Sequence, residues 1–446
     1  MKKTSFKMKK NSITHFFAAT IVASVLLMSC YKNDSPKNHN DNSAASYSAE
    51  VLDKWMTMQI RLMKNTTGVP NQAFSRYFAY TGIASLESLA PGLPFYANQY
   101  RKWNGLSGLP IPDQSIQYYY PASINAAMAS INKAFFPNAN ASDKGAIDSL
   151  ETALNESFVT AQPSSVLTKS AEFGKAVAVA IFNWSESDGY KYASNPYTPP
   201  TGPGLWLPTA PAYGAASTPY WGNNRTVISG STSNTLPATP KTYSTDPASP
   251  FYQMVKQLYD ASLNLTDEQK AMAMFWRDVP GVTSPGHWLS IMQQAIRKTN
   301  SHLDKAAFAY ALTGSSINDA LISCWKAKYQ YNLVRPITYI RDVIGNGTWN
   351  SYLGTPPHPE YPSAHAVLSC AGAGILDKLF PNTGSFTDNT YDYMGFAPRT
   401  YSSFMAIAEE AGKSRFYAGI HYQPSIDAGI IVGKKVAANV FASNNH

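Results

Sequence analysis

Apolar residues recur at three- and four-residue intervals along most of this chain, the spacing of a helix with one buried face. The pattern predicts helices in AEVLDKWMTMQIRLMK (49–64), NQAFSRYFAYTGIASLESLA (71–90) and TKSAEFGKAVAVAIFNWSESDG (168–189). It returns in HWLSIMQQAIRKTNSHLDKAAFAYALTG (287–314), SINDALISCWKAKYQYNLV (316–334), AHAVLSCAGAGILDKLF (364–380) and two last segments around 401–412 and 425–442. End signals agree: Ser142 and Asp143 precede KGAIDSLETALNES, Pro91-Gly92 follows one long run, and Gly314 is expected to close another. Between roughly 190 and 250 the period disappears into Pro, Gly, Ser, Thr and large aromatics (NPYTPPTGPGLWLPTAPAYGAASTPYWGNNRTVISGSTSNTLPATP). A linker would lack the Trp and Tyr, so this stretch reads as an ordered, irregular excursion packed on the helices. The fold class is therefore all-α, a packed helical bundle with one long decorated loop: helices over 49–190, the excursion over 190–250, a second helical half over 250–446.

The N-terminus departs from this pattern. MKKTSFKMKKNSITHFFAATIVASVLLMSC has a lysine-rich start, a short apolar run and small residues before Cys30, the parts of a secretory signal. Leu27-Met28-Ser29-Cys30 resembles a bacterial lipobox, whose cysteine becomes the lipidated N-terminus. The expected organisation is a lipoprotein signal peptide at 1–29, a polar tether at 30–48 and a folded body at 49–446. The protein would then be exported and anchored by lipid through Cys30, on the periplasmic or cell-surface face of the outer membrane. Past the signal no apolar run reaches the roughly 18 residues of a spanning helix.

Charge and cysteines narrow the classes further. The formal charge is +8, but five lysines precede Cys30, and +3 remains without them. With no basic stripe or RNA-binding motif, a nucleic-acid partner is not expected. Cys324 and Cys370 are too few for a disulfide scaffold or an all-thiolate zinc site and read as buried thiols, with one disulfide left open.

Three stretches carry the candidate chemistry. In KYQYNLVRP, Lys328 and Arg335 lie seven apart, which on a continuous helix puts both cations on one face, and Pro336 is expected to end that helix. HPEYPSAH runs from His358 to His365 in a chain with eight histidines. Its Ser363 either caps the next helix or offers its hydroxyl to an anion at the helix N-terminus, where backbone N–H groups lack partners. In SRFYAGIHYQPSIDAG, Arg415 and His421 flank Gly419 just before the last helix. Each stretch alone is ordinary: a solvated pair of cations, a cap, a loop arginine beside a satisfied histidine.

Together they spell Lys-X6-Arg-Pro, Pro-Ser-X-His and Ser-Arg-X5-His, and in order and spacing the sequence resembles the vanadium-dependent haloperoxidase / type 2 phosphatidic acid phosphatase superfamily. GLWLPTAPAY, FWRDVPGVTSPGHW and CWKAKYQYNLVRP are similar to its soluble bacterial haloperoxidase-like branch. The resemblance implies an all-α fold and a vanadate cofactor, V(V) throughout, with no haem, flavin or nicotinamide. It implies that Lys328, Arg335, Ser363, the Ala364 N–H, Arg415 and His421 hold the oxyanion, with His421 attached to the metal. His365 would handle the proton on the opposite oxygen and Lys328 would polarise hydrogen peroxide, so that halide is oxidised to a hypohalous acid equivalent. With phosphorus in the same cage the implied reaction is acid phosphatase hydrolysis of phosphate esters, through a phosphohistidine at His421. A third reading is a surface lipoprotein that binds a ligand through its aromatic excursion without catalysis.

The chain departs from the family pattern at three places. Ala364 stands where Gly is usual in Pro-Ser-Gly-His. Ser425 stands where phosphatase relatives place an Asp behind the nucleophilic histidine; Asp427 either substitutes from nearby or only charges the helix N-terminus. Lys326 follows Trp325 where many relatives carry an acid. His358, seven before His365, occupies a position that in the family influences which halide reacts, and a His there resembles the iodide- and bromide-oxidising members. Trp325 is a candidate wall of the halide site or a core tryptophan.

Overall fold

The computed structural model describes residues 43–93, 103–279 and 281–443. The expected signal peptide, Cys30 and most of the expected tether lie outside them. Thirteen helical segments make up most of the described chain: α1 Glu50–Asn65, α2 Asn71–Glu87, α3 Tyr120–Phe135, α4 Ala141–Phe158, α5 Ser164–Ser185, α6 Pro250–Leu263, α7 Asp267–Phe275, α8 Thr283–Lys298, α9 Leu303–Tyr331, α10 Pro336–Tyr339, α11 Ala364–Leu379, α12 Phe404–Tyr417 and α13 Gln423–Ser443. One antiparallel pair, β1 Phe386–Asp388 with β2 Arg399–Tyr401, was not anticipated. The fold is all-α, and no described helix is long and apolar enough to cross a membrane.

The N-terminal helices pack as α3 on α5 and α2 on the central α9, while α11 is gripped by α9, α12 and α13. One continuous apolar core, including Trp55, Phe78, Trp288, Tyr310 and Val367, runs through both halves. The α2–α9 crossing is close because each helix offers a glycine: a Cβ on Gly314 would sit 2.8 Å from the Phe78 carbonyl oxygen, and one on Gly82 2.6 Å from that of Tyr310. Gly314 therefore does not end a helix as expected; it lets α9 run on against α2 to Tyr331. The expected 287–314 helix breaks instead at 299–302, between α8 and α9. Helices α3, α6 and α7 were not anticipated, and α4 begins at Ala141, with the Asn140 side chain accepting from the Asp143 N–H at 2.9 Å.

The end of α9 also differs from expectation. Asn332 takes a left-handed conformation (φ 46°), so the helix stops four residues before Pro336 and Arg335 is not on its face. Asn332 is held there by donating to the Tyr329 carbonyl at 2.7 Å and accepting from the Tyr197 hydroxyl at 3.0 Å. The extended segment that follows is clasped on both sides: Trp206 N–H donates to the Asn332 carbonyl at 2.7 Å, Val334 N–H to Gly204 at 2.9 Å, and Glu360 N–H to Leu333 at 3.0 Å. The excursion thus fixes the backbone on which Arg335 and the HPEYPSAH octet sit. A second anchor is the fully buried Asp319 on α9, which accepts from the Val227 and Ile228 N–H groups at 2.9 and 3.0 Å and from the Ser231 hydroxyl at 2.7 Å.

Candidate active site

The N-terminus of α11, the turn into α13 and the segment after α9 meet at one point. Ser363 N–H donates to the Ser425 carbonyl at 3.0 Å, and a Cβ on Gly429 would lie 2.8 Å from the Ser363 carbonyl oxygen, so α13 lies directly on the start of α11. Past α12, Gly419 turns with φ 77° and aims His421 back toward Arg335. Lys328, Arg335, Ser363, His365, Arg415 and His421 are all buried. His358, Ala364, His365, Arg415, His421 and Trp325 line one cavity of about 280 Å³.

Hydrogen bonds assign the imidazole protons, because an arginine only donates and a carbonyl only accepts. His421 Nδ1 lies 2.9 Å from a carboxylate oxygen of Glu360 and donates to it. Its Nε2 faces Arg335 Nη1 at 3.4 Å and so carries the lone pair. His358 Nδ1 lies between Arg335 Nη2 at 3.0 Å, which can only donate, and the Pro359 carbonyl at 3.2 Å, which can only accept, so these two contacts pull its proton in opposite directions. His365 Nε2 lies 3.0 Å from the Trp276 carbonyl and 2.8 Å from Ser284 Oγ. The carbonyl requires a proton on Nε2, so His365 Nδ1 is the unprotonated nitrogen.

Three cations crowd this point. Lys328 spends two of its three N–H donors on the Pro359 and Glu360 carbonyls at 2.8 and 3.0 Å. Arg335 bonds the His358 and Ile420 carbonyls at 2.8 and 2.9 Å, and Arg415 the Trp276 carbonyl at 2.9 Å. Burial, the largest cause, pulls the Lys328 ammonium down to about 7 and each guanidinium to about 10. Burial, with Arg415 beside it, takes His365 to about 4, and burial with Arg335 and Lys328 holds His421 and His358 well below the usual imidazole range. Among the described residues the carboxylates that act on these cations are Glu360 and the partly exposed Asp278.

The donor set fits a tetrahedral oxyanion. Ser363 Oγ and Arg415 Nε are buried without a hydrogen-bond partner. Ser363 stands at the N-cap position of α11 but makes no side-chain cap bond, so the simple capping reading fails and its hydroxyl is left for a ligand. Ala364 is the first residue of α11, where a backbone N–H has no helical acceptor. Its φ is not in the left-handed range, so alanine is tolerated in the usual glycine's place. Among the described residues no cluster of three or more His, Cys, Asp or Glu side chains gathers to hold a bare cation. Unpaired donors, buried cations and one free imidazole lone pair are what a multiply charged oxyanion requires out of water.

The residues flagged around the cage separate clearly. Asp427 is exposed and accepts from Gln423 Nε2 at 2.8 Å, so it does not support His421. That support comes from Glu360, fully buried, which also accepts from the Tyr422 N–H at 2.9 Å and from the Ser425 hydroxyl. The serine at the missing aspartate's position thus bonds the carboxylate that replaces it. Sequence reasoning missed Glu360 although it sits inside the quoted octet, because its partner is 61 residues away. It also missed Ser284 and Asp278: Ser284 Oγ bridges His365 Nε2 and Asp278 Oδ1, the latter at 2.9 Å. Trp325 is both wall and core, its ring 5.0 Å from that of His358 and 5.9 Å from Lys328 Nζ. Lys326 is exposed and takes no part. Cys324 and Cys370 are free and buried.

Residues 308–446 match the family model of the VCPO second helical-bundle domain. A solved bacterial vanadium-dependent iodoperoxidase is similar at 32% identity and a TM-score of 0.79, over 89% of this chain and 96% of its own. Two bacterial vanadium-dependent chloroperoxidase structures share the fold. The apo-type has 18% identity and a TM-score of 0.64 over 84% of this chain and 95% of its own, and the holo-type 16% and 0.60 over 86% and 95%. No curated protein matches.

Proposed function

The chain belongs to the vanadium-dependent haloperoxidase family, and from that premise we propose that it oxidises iodide or bromide with hydrogen peroxide to a hypohalous acid equivalent, using vanadate. The observation that carries the reading is the pair of buried, unpartnered donors, Ser363 Oγ and Arg415 Nε, in the same buried cluster as the unprotonated Nε2 of His421. His421 Nε2 would hold the metal, with Glu360 keeping the imidazole proton on Nδ1. Lys328, Arg335, Arg415, Ser363 Oγ and the Ala364 N–H would hold the oxygens. When bound, vanadate supplies a Lewis acid that activates peroxide toward halide. His365, whose pKa burial and Arg415 lower to about 4, is neutral near pH 7 and has Nδ1 open to take a proton once negative charge arrives beside it. Lys328 keeps one N–H for a ligand oxygen. The His358 and Trp325 rings, 5.0 Å apart, form a wall suited to a large, soft anion. The 32% identity to an iodoperoxidase supports iodide before chloride.

Phosphate-ester hydrolysis is the second reading, and Glu360 favours it. The carboxylate behind the histidine that Ser425 lacked is present, so His421 Nε2 could attack phosphorus while His365 protonates the leaving alcohol. One experiment separates the two. Protein lacking residues 1–30 is assayed for triiodide formation and monochlorodimedone bromination, with and without orthovanadate, beside p-nitrophenyl phosphate hydrolysis. Vanadate-dependent halide oxidation that His421→Ala abolishes is expected. Phosphate release inhibited by vanadate, without halide oxidation, would overturn the peroxidase reading. The lipobox supports export and lipid attachment at Cys30, which palmitate labelling lost in Cys30→Ser would check.

A further inference from the structure

The cavity above the cage is larger than its proposed contents. Its volume of about 280 Å³ is many times the ~15 Å³ that one enclosed water needs. An oxyanion and one halide would leave much of it open. The floor is the cage; the outer wall comes from separate parts of the chain, Val69 to Gln72 at the start of α2, Ser217 in the excursion, and prolines 285, 356 and 357.

Two polar groups on this wall, Gln72 Oε1 and the Ser217 hydroxyl, have no hydrogen-bond partner among the described residues. Gln72 is only 7% exposed, and its Oε1 is buried without a hydrogen-bond partner. Ser217 has its backbone tied on both sides: its N–H donates to Pro357 at 2.8 Å, and its carbonyl accepts from Trp325 Nε1 at 3.3 Å and the Tyr329 hydroxyl at 2.8 Å. The Ser217 hydroxyl makes no hydrogen bond among the described residues. The segment that delivers it is bracketed by two non-glycine residues in the left-handed region, Tyr213 (φ 48°) and Thr218 (φ 44°). Such conformations persist only where the surroundings impose them, and they cluster at ligand-binding walls. A buried amide oxygen without a partner is likewise costly unless a ligand completes it.

We propose that this outer part of the cavity binds the organic acceptor, a small neutral phenol, so that halogenation takes place on a bound ring. The inference rests on the haloperoxidase reading. Val69 and the three prolines suit the face of a ring, and the polar groups set between them would fix its orientation, the division of labour usual in a small-molecule site. The phenol hydroxyl donates to Gln72 Oε1 and meets the Ser217 hydroxyl. Asp278 lies on the same wall and disfavours an anionic acceptor. The chemistry balances: peroxide, halide and one proton give hypohalous acid and water, the halide losing the two electrons that cleave the O–O bond. The ring carbon then bonds to halogen as the O–X bond breaks, and the displaced ring proton leaves with the hydroxide as a second water.

The test uses vanadate-loaded protein without peroxide, titrated calorimetrically with 4-methylphenol. One saturable site is expected, weakened at least tenfold in Gln72→Leu and several-fold in Ser217→Ala, while the vanadate affinity of both variants stays at the wild-type value and reports an intact cage. A second measurement adds peroxide and iodide and sets 4-methylphenol against phenol red, a competitor too large for the cavity. The wild-type product ratio should exceed the one authentic hypoiodite produces, and in Gln72→Leu it should fall to that value. Absence of saturable phenol binding, indifference to both substitutions, or a wild-type ratio equal to that of hypoiodite would overturn the subsite. Phenol binding without any halide oxidation would instead refute the haloperoxidase reading and leave the subsite standing.

Discussion

Replacing Glu360 by Gln removes one negative charge from behind His421 while keeping the side chain's shape. The wild-type carboxylate is fully buried and accepts three hydrogen bonds, from His421 Nδ1, the Tyr422 N–H and the Ser425 hydroxyl. A glutamine oxygen can keep the first two, and Ser425 can turn to accept from the new amide. The geometry then survives and only the charge assistance is lost, about 1 kcal/mol per bond. Passed through the ring, that loss makes Nε2 a poorer donor to a metal; losing such a partner typically costs 10–100-fold in affinity, about 1.4–2.7 kcal/mol. Phosphate, held by cations and hydrogen bonds alone, should bind Glu360→Gln as tightly as wild type or more tightly, because an anion has been removed from among Lys328 and Arg335. Burial raises the Glu360 carboxyl to about 7, so calorimetric titration of both oxyanions at pH 8, where it is charged, checks this, with Asp427→Asn as an indifferent control. Vanadate affinity within twofold of wild type, or equal weakening of vanadate and phosphate, would refute the reasoning.

Ser363→Ala should weaken oxyanion binding roughly 2–12-fold, the worth of one hydrogen bond, without lowering the melting temperature of the free protein, since Oγ has no protein partner; a helix cap would instead lose about 1 kcal/mol of stability. Gly314→Val, whose Cβ would meet the Phe78 carbonyl oxygen at 2.8 Å, should lower stability by about 1–3 kcal/mol in urea unfolding. Burial raises the Asp319 carboxyl from 3.8 to about 6. The native state therefore holds this proton more tightly than the unfolded chain, and the contribution is fully present below 3.8 and lost as pH rises through 6. Relative to Asp319→Asn, wild-type unfolding free energy should be about 2 kcal/mol more favourable to the fold at pH 4.5 than at pH 7.

Helical periodicity was legible where one face of a helix is buried, as in α1 and α5, because a 3.6-residue repeat is a local property of the sequence. It failed at 287–334, where two helices share one apolar run and the break is made by packing, and where Gly314 serves a helix crossing rather than a helix end. The candidate cage was legible as three motifs because each pairs its residues within a few positions. Glu360 and Ser284 were not, because their partners lie 61 and 81 residues away and a lone carboxylate or hydroxyl has no local signature.

The sequence by itself determined the all-α class, the family resemblance, and which histidines, cations and serine were candidates for the chemistry. Only the tertiary structure decided that Arg335 leaves the helix of Lys328, that Glu360 rather than Asp427 stands behind His421, and that the excursion supplies both the clasp on the Arg335 backbone and a wall of the cavity. The division has a physical reason. Secondary structure and motif spacing follow from interactions within a few residues, whereas proton placement, unpaired donors and the space above them depend on burial, which exists only once distant segments have packed together.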